Sequence, residues 1–374
     1  MARLPLITPD IHFDEVVDDF RAIFESGRLT SGPYVRRFEE TVATMINMPH
    51  AIAVTSATTA MHLALAAGDV GPGDEVLVSD FTYPATANVV HFVGAKPVLV
   101  DCTEGRFDMD PTDARAKLTS RTKAILFVDP FGQPARHAEL KALATEHGLL
   151  LIEDAACALG ASRDGQPCGS DVDFSCFSFH PRKIVTTGEG GIVACRNEEH
   201  AARMLRLRNH GGVAGEAGIE FIEPGFNFRM CEVQAAIGLP QLGRFDGIMS
   251  RRRELARWYL EALEGAAGLH IPLAAEVDEC TFQSFVVMLE DDINRLEITR
   301  TLLSQDIETT LGTYSVHAHP AFASYGYKPG DLPQSWRNQR QSLTLPLAYW
   351  MSREDVQRAV DALQAAIASQ RSQA

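Results

Sequence analysis

No run in this 374-residue chain approaches the ~20 consecutive apolar residues that span a bilayer, so a transmembrane helix is not expected. The N-terminal MARLPLITPDIHFDEV has only a short apolar run broken by prolines, well below the ~7–15 residues of a signal-peptide core, so no secretory leader is expected. Paired cysteines are missing too. Cys102, Cys157, Cys168, Cys176, Cys195, Cys231 and Cys280 are odd in number, scattered and without a CxxC pair, which reads as reduced thiols in a cytoplasm. Positive charge is scarce, with Lys+Arg 34 against Asp+Glu 49 and a net charge of −15. Nucleic acid and anionic membrane are therefore poor partners, and an anionic ligand must meet a local cationic or backbone-amide site. No internal repeat, low-complexity tract or metal-binding cluster is read; only the tail SQRSQA is expected to fray.

What is present is ordinary for a globular enzyme: 45% hydrophobic and 22% charged residues, over a length that suits two domains. Helical spacing in FDEVVDDFRAIFES and YVRRFEETVATMI is followed by strand and helix in alternation: EVLVS, KPVLVDC, KAILFVDPFG and LLLIEDAA with helical stretches between. That pattern predicts an α/β fold, a mostly parallel doubly wound sheet covered on both faces. The segment GGVAGEAGIEFIEPG reads as a loop. Near Met249 the texture changes: TFQSFVVMLE and ETTLGTYSVHAHPAF read as strands and REDVQRAVDALQAAIASQ as an amphipathic terminal helix. The expected division is a large domain over 1–248 and a smaller α+β domain over 249–374.

The stretch DFSCFSFHPRKIVTTGEGG, 173–191, concentrates the chemistry. Phe174 and Cys176 alternate with Ser175 and Ser178 as in a strand, Pro181 ends it, and Gly188, Gly190 and Gly191 permit a tight return. Ser178, His180 and Lys183 then fall at a strand's carboxyl end, where open α/β sheets place ligands. An arbitrary lysine is a solvated charge. One held in a partly desolvated pocket loses proton affinity and forms Schiff bases with carbonyl compounds, which calls for a cofactor. Asp154, at the end of the apolar run 149–152, either caps a turn or pairs with a cationic ring nitrogen. In TSATTAMHLAL a small-residue loop opens a helix whose free N–H groups, with Thr58 and Thr59, form an anion cradle; the bland alternative is an N-cap. Tyr83 is either a packing residue or a platform for an aromatic ring.

Taken in order, SGPYVRRFEE, TSATTAMHLAL, GDEVLVSDFTYPATANVVHFVGAKPVLVD, IEDAACALGA, FSFHPRKIVTTGEGG and GFNFRMCEVQAAIGLPQL closely resemble the sugar-nucleotide aminotransferase family of DegT/DnrJ/StrS type, over almost the whole chain. The resemblance implies the type I pyridoxal-phosphate-dependent aminotransferase fold. It also implies Lys183 as the Schiff-base lysine, Asp154 as partner of the pyridine nitrogen, Tyr83 as ring platform, and Thr58, Thr59 and Ser178 as phosphate ligands. Asn227, in GFNFR, resembles an asparagine that reaches the phosphate from the neighbouring subunit, which implies a homodimer with shared sites. Cys157 stands beside the cofactor where the family usually has Gln or His. In YSVHAHPAF, His317 takes the family's histidine position while Ser315 replaces a usual proline; His180, Arg229 and His317 are the candidate substrate contacts. The implied reaction moves an amino group from an amino acid, glutamate, through the pyridoxamine phosphate form to a nucleotide-linked keto-deoxysugar. An aminocyclitol aminotransferase shares every motif, and a non-catalytic regulator would keep the fold. The dehydratases of the family carry histidine in place of the lysine, so Lys183 argues against a lyase.

Overall fold

A strand covered by helices on both faces has no polar side to present, and the apolar runs of this chain become such strands. The computed structural model describes residues 3–272 and 277–372. Its first half contains β1 (His50–Val54), β2 (Glu75–Ser79), β3 (Phe81–Thr82), β4 (Lys96–Val100), β5 (Thr122–Val128), β6 (Leu150–Asp154), the small hairpin of β7 (Ser162–Arg163) and β8 (Gln166–Pro167), then β9 (Phe174–Ser178) and β10 (Gly191–Cys195). Seven of these form one sheet in the order β1-β10-β9-β6-β5-β2-β4. From β9 to β4 the pairings are parallel, while β10 runs antiparallel to both of its neighbours.

Period-two alternation divides each strand between two cores. In β5, Ile125 and Phe127 face one side, with Phe38 and Val42 of α2 (Pro33–Met45) and Leu140 of α6 (His137–His147). Ala124 and Leu126 face the other, with Met61 and Leu65 of α3 (Ala57–Ala67), Val89 of α4 (Ala85–Phe92) and Met204 of α7 (Glu198–Leu207). The sequence expectation of a mostly parallel, doubly covered sheet holds.

The same alternation sends Glu153 and Asp154 to opposite faces of β6. Glu153 is buried against Arg163, which also holds Asp129 at 2.6 Å, and it accepts the Gly169 N–H at 2.8 Å. The Cys168 thiol joins Asp129 and Glu153 in one buried group, and the guanidinium fills the cationic place among them. Burial pushes the Glu153 carboxyl well up, and Arg163 opposes that shift. Arg163→Met leaves two buried carboxylates without their cation, so we expect a loss of about 3–5 kcal/mol in urea unfolding at neutral pH. The sign with pH follows: carboxylates whose folded pKa exceeds the unfolded value destabilise the fold when ionised and stop doing so once protonated. The gap to the wild type should therefore narrow as pH falls from neutral toward 5; a gap that widens would mean the pair is not what Arg163 supports.

Beyond the sheet, β11 (Gly212–Gly215) and β12 (Gly218–Phe221) form an antiparallel hairpin where the sequence suggests only a loop. The signal is weak because neither face is buried, so no apolar alternation marks it. α8 (Glu232–Gly243) leads into α9 (Phe245–Ala262), and Met249, where the change of texture falls, lies inside that helix. A second core joins Leu255 and Tyr259 of α9, β14 (Phe285–Leu289), and Val360 and Leu363 of the terminal helix Arg353–Arg371. Its sheet has the order β13 (Leu269–His270), β14, β17 (Ser342–Leu345), β15 (Thr310–Leu311), all antiparallel. Leu4 pairs beside Ile307 and is fully buried in this core, so the chain's first described residues pack with its last third. The stretch read as strands around His317 supplies only β15 and β16 (Tyr314–Ser315), then 3-10 turns over Val316–Ala318 and Pro320–Tyr325.

Candidate active site

Register alone brings several of the expected residues to one sheet edge. Asp154 pairs with Cys176, two residues before Ser178, so β9 runs two residues past the end of the adjacent parallel β6. Ser178 lies opposite Gly191, and Gly191 opposite Val54, which puts Ser178 and the start of the TSATT loop about 10 Å apart, two interstrand steps. Gly191 is needed there: a Cβ would stand 2.3 Å from the Ser56 carbonyl carbon.

The loop closes as an N-cap. Ser56 caps α3 and Thr59 completes the box, its hydroxyl donating to Ser56 O at 2.9 Å and accepting Ser56 N–H at 3.0 Å. Thr59 thus also holds the helix it opens. Thr58 is half-buried, and the N–H groups of Ala57 and Thr58 have no acceptor among the described residues. A helix start in that state attracts an anion.

Asp154 is 5% exposed and lies on the α3 and α4 face. Its carboxylate accepts the Thr86 hydroxyl at 2.8 Å and the Ala156 N–H at 3.2 Å, and Thr86 in turn meets Thr82 Oγ1 at 2.8 Å. No cation pairs with it among the described residues. Burial pushes its pKa up, opposed first by the Thr86 hydrogen bond and then by the Ala156 N–H and the charge on Lys183. A buried carboxylate in this state gains most from a protonated ring nitrogen, so the pocket fits a pyridinium cofactor.

Between β9 and β10 the chain makes a pinned loop. Phe179 N–H donates to Gly190 O and Thr187 N–H to Phe179 O, both at 2.9 Å, and Gly188 turns with φ 83. Gln241 brackets Thr186, accepting its N–H at 3.0 Å and donating to its carbonyl at 2.7 Å. Gln283 accepts the Ile184 N–H at 3.1 Å and donates to the Arg182 carbonyl, so Lys183 is held from both sides. Its Nζ donates to Cys157 Sγ at 3.0 Å, and Thr281 holds the Cys157 carbonyl at 2.8 Å. Lys183 also borders a cavity of about 80 Å³ with Thr8, Arg251, Arg252 and Tyr349. A far wider groove, about 1310 Å³ along α6, contains none of the expected site residues.

Tyr83 is 67% exposed, with the Tyr314 ring at 6.2 Å. His180 is half-exposed, and its Nδ1 accepts the Arg182 N–H at 3.2 Å. Arg229 pairs across from Val54 and donates to Asn209 Oδ1 at 2.5 Å, and Asn227 is exposed. The side chain of His317 is fully buried, its Nδ1 lies 2.7 Å from Asp80 Oδ2 and its backbone N–H donates to Asp80 Oδ1 at 2.7 Å. Ser315, in place of the usual proline, gives its hydroxyl to the same carboxylate at 2.7 Å. That segment is thus anchored along β3, with Ser315 opposite Phe81 and Tyr314 opposite Thr82, the residue before Tyr83. Sequence reading missed Thr86, Gln241, Gln283 and Thr281, none of which carries charge or a motif of its own. Only the position of Thr86, three residues after Tyr83 in a helix start, hints at it.

Thr86→Val keeps the volume and removes the hydroxyl. We expect about 1.5–3 kcal/mol of lost support for ionised Asp154, read as roughly a 10- to 100-fold lower kcat. Little change in thermal midpoint should accompany it; unaltered turnover would leave Thr86 as a spacer.

A buried acid, a clamped lysine and an amide-rich helix start, gathered at the carboxyl edge of a mostly parallel sheet, define the class: a pyridoxal-phosphate-dependent aminotransferase. The chain belongs to the DegT/DnrJ/EryC1/StrS aminotransferase family, whose model matches residues 11–364. It is 34% identical to the spore coat polysaccharide biosynthesis protein SpsC of Bacillus subtilis, covering 96% of both chains. It is 36% identical to the GDP-perosamine synthase of Caulobacter vibrioides over 89% of this chain and 90% of that one. A putative sugar aminotransferase of Streptococcus pneumoniae, Spr1654, solved in its PMP form, superposes with TM-score 0.94 at 26% identity, covering 100% of this chain and 99% of its own. Among the described residues no helix is long and apolar enough to cross a membrane.

Proposed function

We propose that this aminotransferase moves the amino group of glutamate onto a nucleotide-linked keto-deoxysugar. The observation that carries the reading is the convergence of clamped Lys183 and buried, cation-free Asp154 on one sheet edge. The sugar nucleotide rests on the likeness to a GDP-perosamine synthase. Pyridoxal phosphate, when bound, supplies a conjugated electron sink for the charge left when the donor's Cα proton departs. Lys183 would hold the cofactor between turnovers and, once freed, move that proton with its Nζ. Asp154 would pair with the ring nitrogen and favour its protonated form, with Thr86 holding the carboxylate. Tyr83 would offer its ring face, and Ser178, Thr58, Thr59 and the amides of α3 would receive the phosphate. Cys157 would stand beside the cofactor with Lys183. His180, Arg229 and His317 remain the candidate substrate contacts. A panel of keto sugar nucleotides and keto cyclitols offered to the pyridoxamine form tests the reading: sugar nucleotides should restore the aldehyde spectrum. Response to cyclitols alone would transfer the assignment to the aminocyclitol class.

The shared-site homodimer is part of the same proposal. The hairpin β11–β12 exposes Ile219 (63%) and Phe221 (67%), with Ile222 (59%) just beyond, shortly before exposed Asn227. Apolar side chains of that size so close together suit a partner surface. If Asn227 serves the neighbouring site, Lys183→Ala chains mixed with Asn227→Ala chains should regain activity that neither parent has, because one heterodimer site draws both intact residues. Subunit exchange proven by mass with no return of activity would confine Asn227 to its own chain.

A further inference from the structure

Cys157 is set apart from the other cysteines by the cations around it. Its sulfur accepts from Lys183 Nζ at 3.0 Å. Arg252, which lines one cavity with Lys183, is buried, donates to the carbonyls of Phe282 and Gln283 at 2.7 and 2.8 Å, and has no carboxylate partner among the described residues. Burial pulls that guanidinium down to about 10, and attraction to the Cys157 sulfur opposes the shift. Cys102, Cys168, Cys176 and Cys280 are buried, and burial pushes the thiols of the first three well up. Cys195 is buried and raised to about 11. Cys231, the other partly exposed one, donates to Gln234 Oε1 at 3.2 Å. Cys157 alone among the seven joins partial exposure to a contacting lysine, so a sulfur oxidised there has an amine within reach.

We propose that Cys157 and Lys183 form a modification site, a reversible sulfur–nitrogen bridge made under hydrogen peroxide, which removes the lysine from cofactor chemistry. The step balances. The thiolate attacks peroxide, the O–O bond breaks, sulfur loses two electrons, and the leaving hydroxide takes a proton from the contacting Lys183 ammonium, giving a sulfenic acid, water and a neutral amine. The neutral amine of Lys183 then attacks that sulfur; the S–O bond breaks, the S–N bond forms, and hydroxide leaves with the amine proton as water. A thiol reductant reverses it by attack on sulfur, giving a mixed disulfide and the free amine, and a second thiol completes the return. The bridge needs only thiol and free amine; its effect on catalysis rests on the reading of Lys183 as cofactor lysine. An aldehyde cofactor on Lys183 occupies the same amine, so the bridge should form in the pyridoxamine state and be blocked in the pyridoxal state.

The test treats the full chain, loaded with pyridoxamine phosphate or with pyridoxal phosphate, with hydrogen peroxide, followed by digestion and mass mapping. The expected result is a Cys157–Lys183 peptide pair, lighter by two hydrogens than its parts, abundant in the pyridoxamine sample, depleted in the other and lost after dithiothreitol. Loss of pyridoxal phosphate uptake should track it and return with the reductant. Cys231→Ser should keep the bridge, whereas Cys157→Ser and Cys157→Gln should lack it, and peroxide should not lower the uptake that each of these two variants shows without it. Sulfinic acid on Cys157 with Lys183 unmodified, or oxidation elsewhere with Cys157 intact, overturns the proposal. A bridge equally abundant in both samples supports the modification site and refutes Lys183 as the cofactor lysine, so the two failures are distinguishable.

Discussion

Replacing Lys183 by alanine is expected to abolish transamination, lowering kcat by about 10⁴-fold or more, the upper range for one positioned proton-transfer group. The loss should be larger than for any other single residue here, because one amine both tethers the cofactor and moves the donor's proton. The variant should fold, since Lys183 contributes only its contact to Cys157 while Gln241 and Gln283 hold the loop through backbone groups. In the wild type, borohydride should fix the cofactor covalently to Lys183 by reducing its imine, with a permanent loss of yellow colour. Peptide mapping that finds the adduct on Lys123 or Lys141 rejects the assignment. A well-folded protein that never takes up the cofactor favours a non-catalytic role.

Asp154→Asn should keep cofactor binding while losing most turnover. The amide is nearly isosteric, and its one oxygen can still accept the Ala156 N–H while its NH2 donates to Thr86 Oγ1, but it cannot hold a proton on a ring nitrogen as a carboxylate does. The expected loss is about 3–4 kcal/mol of transition-state stabilisation, comparable to removing other preorganised electrostatic groups, or roughly 10²–10³ in kcat. Burial supplies a second readout. Because Asp154 is desolvated and its pKa raised, its ionised form is costly in the cofactor-free fold, so the asparagine variant should be at least as stable as the wild type without cofactor. Adding cofactor should close that gap through the pairing the variant lacks. Near-normal turnover in Asp154→Asn would mean that another group faces the nitrogen.

Much of the site was legible because its residues sit next to breaks in pattern. Asp154 ends an apolar strand, Lys183 follows a proline after a strand, and Thr58 and Thr59 open a helix, so each announces a carboxyl edge or a helix start. Thr59, which the resemblance makes a phosphate ligand, also closes the capping box of that helix. His317 was legible as a motif position and not as a location: only the fold shows it buried and held on Asp80 with Ser315. Thr86 was silent because a threonine at a helix start has too many ordinary uses to stand out.

From the residues alone follow the alternation of strand and helix, the doubly covered sheet and the chemistry of a lysine and an aspartate at strand ends, because hydrophobic period and turn residues are local properties. What the tertiary structure decided is which distant residues meet. Glu153 and Asp154 part to opposite faces, one into the Arg163 network and the other toward Thr86. Gln241 and Gln283 arrive from 55 and 99 positions away to hold the Lys183 loop, and Cys157 comes within 3.0 Å of a lysine 26 residues on. Hydrogen bonds and Coulomb forces act over a few ångströms of space whatever the separation along the chain, so no local pattern records them.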